Sequence, residues 1–251
     1  MRFNGPLESA ALLTVLPVPR DAAASTRGVL PWAPLVGLVL GGIATGAALL
    51  GERWISAQAG AVLYVAVLAV LTRGLHLDGL ADTADGLGPM RGRERALQVM
   101  HQSDVGPFGV VTLVLTLLLQ VACGTALLGT DHGWVALWLA VAVARLAMAR
   151  TGLPGVATAE GSSLGALVSG TVSGPWFAGW VVLLLGLVAA ANAGDAEPAL
   201  RLAGSALAGL LAAELLHRRA RARLGGVTGD VMGAMGEAAT TATLLVAAIA
   251  V

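Results

Sequence analysis

Lysine is absent from this 251-residue chain, so each of its strong cations is one of 15 arginines. Charge of either sign is scarce. Charged residues make up 12% of the chain, about half of the roughly 25% typical of soluble domains. The arginines balance 15 acidic residues, and a formal net charge of zero argues against a basic nucleic-acid-binding surface. A lone cysteine, Cys123, excludes any internal disulfide. What fills the chain instead is apolar, with 57% hydrophobic residues and a mean hydropathy of +0.81. Such a composition excludes disorder and argues against a water-soluble globule. The class that remains is all-α, a polytopic integral membrane helical bundle.

A helical crossing needs roughly 20 mostly apolar residues. Seven runs qualify, over 33–50, 57–71, 107–128, 134–149, 176–191, 202–216 and 238–251, so about seven transmembrane helices are expected in one domain over 1–251. Frequent Gly and Ala suit close helix packing in lipid. Trp32, Trp54, Trp134 and Trp176 fall near run ends, with Trp138 and Trp180 one turn further in, as in an interfacial aromatic belt. No basic start followed by a cleavage-like site is seen, which argues against a removable signal peptide.

With the N-terminus on the cytoplasmic side, Arg2, Arg20, Arg27, Arg73, Arg91, Arg93, Arg95, Arg145, Arg150, Arg218, Arg219, Arg221 and Arg223 fall inside, and only Arg53 and Arg201 outside. That bias follows the positive-inside rule. It puts three longer polar segments, at about 72–106, 151–175 and 217–237, on the cytoplasmic face, where chemistry is to be sought.

The first of these contains Arg73-Gly-Leu-His-Leu-Asp-Gly-Leu-Ala-Asp-Thr-Ala-Asp-Gly-Leu. On a helix, Asp78, Asp82 and Asp85 would share about 60° of arc. Three carboxylates so placed repel one another, and a divalent cation relieves the repulsion. Hard oxygen donors favour Mg²⁺ or Mn²⁺. The competing reading is a solvated polar face, although no arginine is interleaved to pair with the acids. Gly79 and Gly86, each following an aspartate, would let a phosphate approach the backbone. His76 falls away from the aspartate face and reads as a hydrogen-bonding residue.

Arg91, Arg93 and Arg95 suit a polyanionic substrate such as a pyrophosphate, or simply hold their loop inside. Asp104, in His101-Gln-Ser-Asp-Val-Gly, stands as a fourth metal ligand or a base. In the third segment, either Gly225, Gly226 and Gly229 present backbone N–H groups to a phosphate ahead of a helix, with Thr228 adding a hydroxyl, or Gly225, Gly229 and Gly233, recurring every four residues, form a small-residue packing face. Asp230 adds a carboxylate.

Taken together, His76-Leu-Asp-Gly-Leu-Ala-Asp-Thr-Ala-Asp-Gly, the stretch from His101 to Gly106, Leu224-Gly-Gly-Val-Thr-Gly-Asp and the early Thr14-Val-Leu-Pro-Val-Pro resemble the cobalamin synthase family, the adenosylcobinamide-GDP ribazoletransferases. The blocks agree in order and spacing from near residue 3 to about residue 240, and residues 154–165 depart most. The resemblance implies an Mg²⁺-dependent enzyme of the bacterial inner membrane. It would join adenosylcobinamide-GDP to α-ribazole or its 5′-phosphate, releasing GMP and leaving adenosylcobalamin or its 5′-phosphate. The expected metal ligands are Asp78, Asp82 and Asp85, and the catalytic residues Asp82, Asp104 and Asp230, with Asp104 or Asp230 completing the metal shell or accepting the hydroxyl proton. Arg91, Arg93, Arg95, Gly225, Gly226 and Thr228 would bind substrate. The alternative is a secondary transporter or corrinoid permease, since intramembrane acids often mark ion pathways; the clustering of the acids at one membrane face speaks against it. Homo-oligomerisation is left open.

Overall fold

The computed structural model describes residues 4–19, 25–192 and 195–249. Arg2 and Arg20, and the last two residues of the run 238–251, lie outside them. Eleven α-helices follow in order: α1 Gly5–Leu13, α2 Val29–Trp54, α3 Ala57–Leu71, α4 Leu75–Leu87, α5 Arg93–Met100, α6 Pro107–Leu128, α7 Gly133–Ala149, α8 Ser163–Val168, α9 Gly174–Ala191, α10 Ala196–Leu224 and α11 Gly229–Ile249. No strand forms among the described residues, and the one β-bridge joins Thr158 to Val227.

Six helices are long and apolar enough to cross a membrane: α2, α6, α7 with its 3₁₀ extension to Gly152, α9, α10 and α11. The run 57–71 folds as α3, whose 15 residues span about 22 Å at 1.5 Å per residue. Two residues join it to α2 and the helices pack together, so α3 returns antiparallel, and together with α4 it makes a bent pair that counts as a seventh candidate span. It then bends by 90° into α4. The corner is made by Arg73 and Gly74, both at positive φ (56° and 68°). With this bend α4 leaves the spanning direction and runs along the end of the bundle, packed on α11 and α6.

Helix α7 is the central post. It is buried almost throughout and packs on α2 and α11. Glycines set the spacing: a side chain at Gly37 would begin 2.9 Å from Ala142 Cα, and one at Gly41 2.8 Å from the Trp138 carbonyl. Such close approach is how helices associate where surrounding lipid is as apolar as the interface.

Three expectations need correction. Arg145, counted among the cations at the inner end of its span, is buried within the bundle. It is 3% exposed on α7, with Nη2 3.3 Å from His76 Nδ1. The last span begins at Gly229 rather than 238, because Gly233 and Gly236 pack closely enough on α4 and α7 to carry the helix through the small-residue stretch. Glu237 therefore joins the interior, where Gln120 Nε2 donates to it at 2.9 Å and to Thr241 Oγ1 at 3.0 Å. The tryptophans are only partly a belt. Trp176 and Trp180 both donate Nε1–H to the Pro31 carbonyl, at 2.7 and 2.9 Å, and meet Trp32 edge-on, tying α9 to α2.

Candidate active site

The three polar segments meet at one end of the bundle. Residues 157–159 pair with 226–227 through Ala159 N–H to Val227 O and Val227 N–H to Ala157 O, both 3.0 Å. Arg223 Nη2 donates to the carbonyls of Pro89 (3.2 Å) and Arg91 (3.0 Å), so the end of α10 holds the arginine loop.

Helix α4 carries Asp78, Asp82 and Asp85 as one helical face requires, but their surroundings differ: Asp78 is exposed, Asp82 half-buried and Asp85 buried. Asp85 accepts N–H bonds from Gly106 (Oδ2, 2.7 Å) and Gly109 (Oδ1, 3.0 Å). These are the N-cap and third helical residue of α6, so one carboxylate caps the helix from outside and meets the positive end of its dipole. A side chain at Gly106 would begin 2.5 Å from Asp85 Oδ1, so glycine is needed there.

Gly79 brings the second carboxylate source into place. A side chain at that position would begin 2.8 Å from Asp230 Cα, so the backbone of α4 lies directly against the start of α11. Asp82 thus comes within electrostatic reach of Asp78, Asp230, Asp85 and His101. Burial first, and then the negative charges of Asp78, Asp230 and Asp85, push its carboxyl up to about 7, while His101 pulls it down. The negative charges gathered around it would be relieved by a cation.

The glycines do not leave space for phosphate where the sequence suggested it. Asp230 fills the space over Gly79, and Met100 Cγ stands 2.6 Å from where a side chain at Gly86 would begin. Gly226 is pressed against the Thr158 backbone. The Gly225 N–H closes α10 on Arg221 O, at φ +85°. A side chain at Gly225 would begin 2.9 Å from Arg93 Cζ, so this glycine seats an arginine. Thr228 caps α11, its Oγ1 accepting from Val231 N at 3.1 Å and lying 3.3 Å from Asp230 Oδ2. Gly229 and Gly233 pack on Leu164 and His76, the small-residue face that was the competing reading.

Beside Asp230 opens a cavity of about 260 Å³, whose lining does not include Asp78, Asp82 or Asp85. Its wall includes Asp230, Thr228, His101, Ser162, Ser163 and His76, with Leu12 and Leu13 of α1. Asp104 is exposed and outside this lining. Arg91, Arg93 and Arg95 are exposed on the adjoining loop and the first turn of α5, and form no ion pair among the described residues.

The profile of the cobalamin-5-phosphate synthase family matches residues 6–248. The chain belongs to that family. The adenosylcobinamide-GDP ribazoletransferase of Frankia casuarinae is 38% identical over 258 residues, covering 96% of this chain and 92% of its own. The enzyme of the same name from Chlorobaculum parvum is 34% identical, with 98% and 96% covered. That from Thermosynechococcus vestitus is 38% identical, with 96% and 94% covered. No solved structure matches this chain.

Seen as a cobalamin-5-phosphate synthase, the chain shows parts that sequence reasoning missed. Ser162 and Ser163 lie in the stretch that departs most from the family pattern, yet they line the cavity. Helix α1 closes its apolar side, with Arg73 Nη2 donating to Leu12 O at 3.1 Å. The available signal was Thr14-Val-Leu-Pro-Val-Pro, which marked the region without a role. In the linear sequence His101 carries no sign of a role beyond its place in the motif.

Proposed function

We propose that this chain is an adenosylcobinamide-GDP ribazoletransferase. In the reaction, a hydroxyl of α-ribazole or its 5′-phosphate attacks the phosphorus bonded to the cobinamide side of the donor. A new phosphodiester forms, and GMP leaves with the electron pair of the broken P–O bond. The observation that carries the reading is the approach of α4 to Asp230 across Gly79, beside the arginine loop, in a chain matched to this family along nearly its whole length. The family match favours the transferase over the transporter alternative.

Magnesium dependence belongs to the same proposal. Asp78, Asp82 and Asp230 offer hard oxygen donors and form no ion pair among the described residues. Among those residues no three acidic, histidine or cysteine side chains converge tightly enough to enclose an ion by themselves. The proposal therefore needs substrate phosphates and waters to complete the shell, as Mg²⁺ is commonly held by one or two carboxylates together with these. Asp78, Asp82 and Asp230 would hold the ion; Asp85, expected as a third ligand, instead has both oxygens taken by the Gly106 and Gly109 N–H groups. When bound, the ion supplies charge neutralisation for the pyrophosphate and the departing GMP. Arg91 and Arg95, exposed on the neighbouring loop and helix, would meet phosphate oxygens, and so would Arg93, which is seated on Gly225.

We place the protein in the bacterial inner membrane with this site facing the cytoplasm. Arg27, Arg73, Arg91, Arg93, Arg95, Arg150, Arg218, Arg219, Arg221 and Arg223 gather at the site end, against Arg53 and Arg201 at the other, which supports that orientation.

Asp82→Asn in reconstituted protein tests the reading. GMP release from the donor is expected to vanish while the variant inserts and melts like wild type. Near-wild-type turnover would remove the carboxylate assignment, and metal-independent uptake of corrinoid into sealed vesicles without GMP formation would return the transporter.

A further inference from the structure

His101 ends α5, and its ring stands on the cavity wall together with Asp230, Thr228, Ser162 and Ser163. Nδ1 lies 2.7 Å from the Leu97 carbonyl oxygen, one turn back on the same helix. A carbonyl only accepts, so Nδ1 carries a hydrogen. In the neutral ring the lone pair is then on Nε2, and the backbone of α5 selects that tautomer. The same ring is within electrostatic reach of Asp82 and Asp230. A tautomer set by a backbone acceptor, which leaves the Nε2 lone pair free, and a cavity beside the residue are together what a general base requires.

The other candidates fit less well. Asp104 is outside the cavity lining. Asp230 has one oxygen 3.3 Å from Thr228 Oγ1, and its backbone is wedged on Gly79, which holds it in place.

We infer that His101 is a catalytic residue, with Nε2 taking the proton of the acceptor hydroxyl as that oxygen bonds to phosphorus. Electrons and atoms balance. The O–H bond breaks toward Nε2, the O–P bond forms, and the P–O bond to GMP breaks with its electron pair on the GMP phosphate. This rests on the ribazoletransferase reading above.

The test uses full-length protein in vesicles, with GMP release measured for wild type and for His101→Gln, His101→Asn and His101→Ala. The side chain is exposed, so the variants are expected to melt like wild type. Asn retains an amide able to reach Leu97 O, Gln places an amide near Nε2, and neither can take up a proton. Loss of a general base lowers turnover by about 10²–10³-fold. That fall in kcat is expected in all three variants, with donor KM within about threefold and the Mg²⁺ concentration for half-maximal rate unchanged. Added imidazole is expected to restore part of the rate to His101→Ala and none to His101→Gln. A kcat within threefold of wild type in His101→Gln overturns the inference. So does a loss that extra Mg²⁺ repairs, which would make His101 a metal ligand, or a folded His101→Ala that imidazole fails to rescue. Absence of GMP from wild type itself would instead overturn the underlying reading.

Discussion

A side chain added to Gly79 would begin 2.7 Å from the carbonyl oxygen of Asp230. Gly79 is the residue after Asp78, and Asp230 is the second residue of α11, so one missing methyl group decides how near the two acidic elements come. Gly79→Ala is expected to push α4 off α11. A displacement near 1 Å at a reacting centre costs on the order of 10²-fold in rate. GMP release is expected to drop by about that factor, while insertion and yield remain near wild type. Full activity in Gly79→Ala would show that this contact does not set the site.

Asp82 and Asp85 share one helical face but are expected to fail differently. Asp85 holds the Gly106 and Gly109 N–H groups, and hydrogen bonds to a charged group contribute roughly 1.5–3 kcal/mol each. Asp85→Ala is expected to lower stability by about 2–4 kcal/mol, read as a reduced melting temperature or midpoint in denaturing detergent. Asp82→Asn removes a crowded charge and is expected to leave the melting temperature equal or higher. Reversal of that order would exchange the two roles.

Arg145 and Glu237 lie within electrostatic reach inside the bundle, on either side of a cavity of about 20 Å³ also lined by Gln120 and Thr240. That is room for one water among polar partners. Removing one member of such a pair strands the other, at a cost of about 3 kcal/mol. Arg145→Leu and Glu237→Leu are each expected to be destabilised by about that amount, and the double variant by less than the sum. Strict additivity in the double-mutant cycle would show the two to be independent.

Orientation can be read by labelling. Met90, between α4 and α5, is 95% exposed, and Trp54, at the far end of α2, is 80% exposed, whereas the native Cys123 is 5% exposed. A membrane-impermeant maleimide is expected to label Met90→Cys only from the cytoplasmic side and Trp54→Cys only from outside, with Cys123 silent. The opposite pattern would turn the site to the other face.

Much of the bundle was legible in the linear pattern. Apolar runs long enough for lipid are a one-dimensional signal, and α6, α7 and α9 fall within two residues of their expected starts. The aspartate spacing was likewise readable, because helical periodicity alone places 78, 82 and 85 on one face. Boundaries failed where small residues left hydropathy low. Gly229 to Gly236 reads as loop but folds as the first turns of α11, since its glycines allow α4 and α7 to pack on it.

The amino-acid order by itself determined that this chain inhabits a bilayer, which of its ends carries the arginines, and that three acids belong together on α4. These follow from composition and local period. Only the tertiary structure decided which partner each acid meets: Asp85 the amide groups of α6, Asp78 and Asp82 the vicinity of Asp230, more than 140 residues away. It also turned Arg145 and Glu237 inward and brought His101 to the cavity. The physical reason is that backbone approach across glycines and the satisfaction of buried polar groups are set between helices, where residue spacing carries no information.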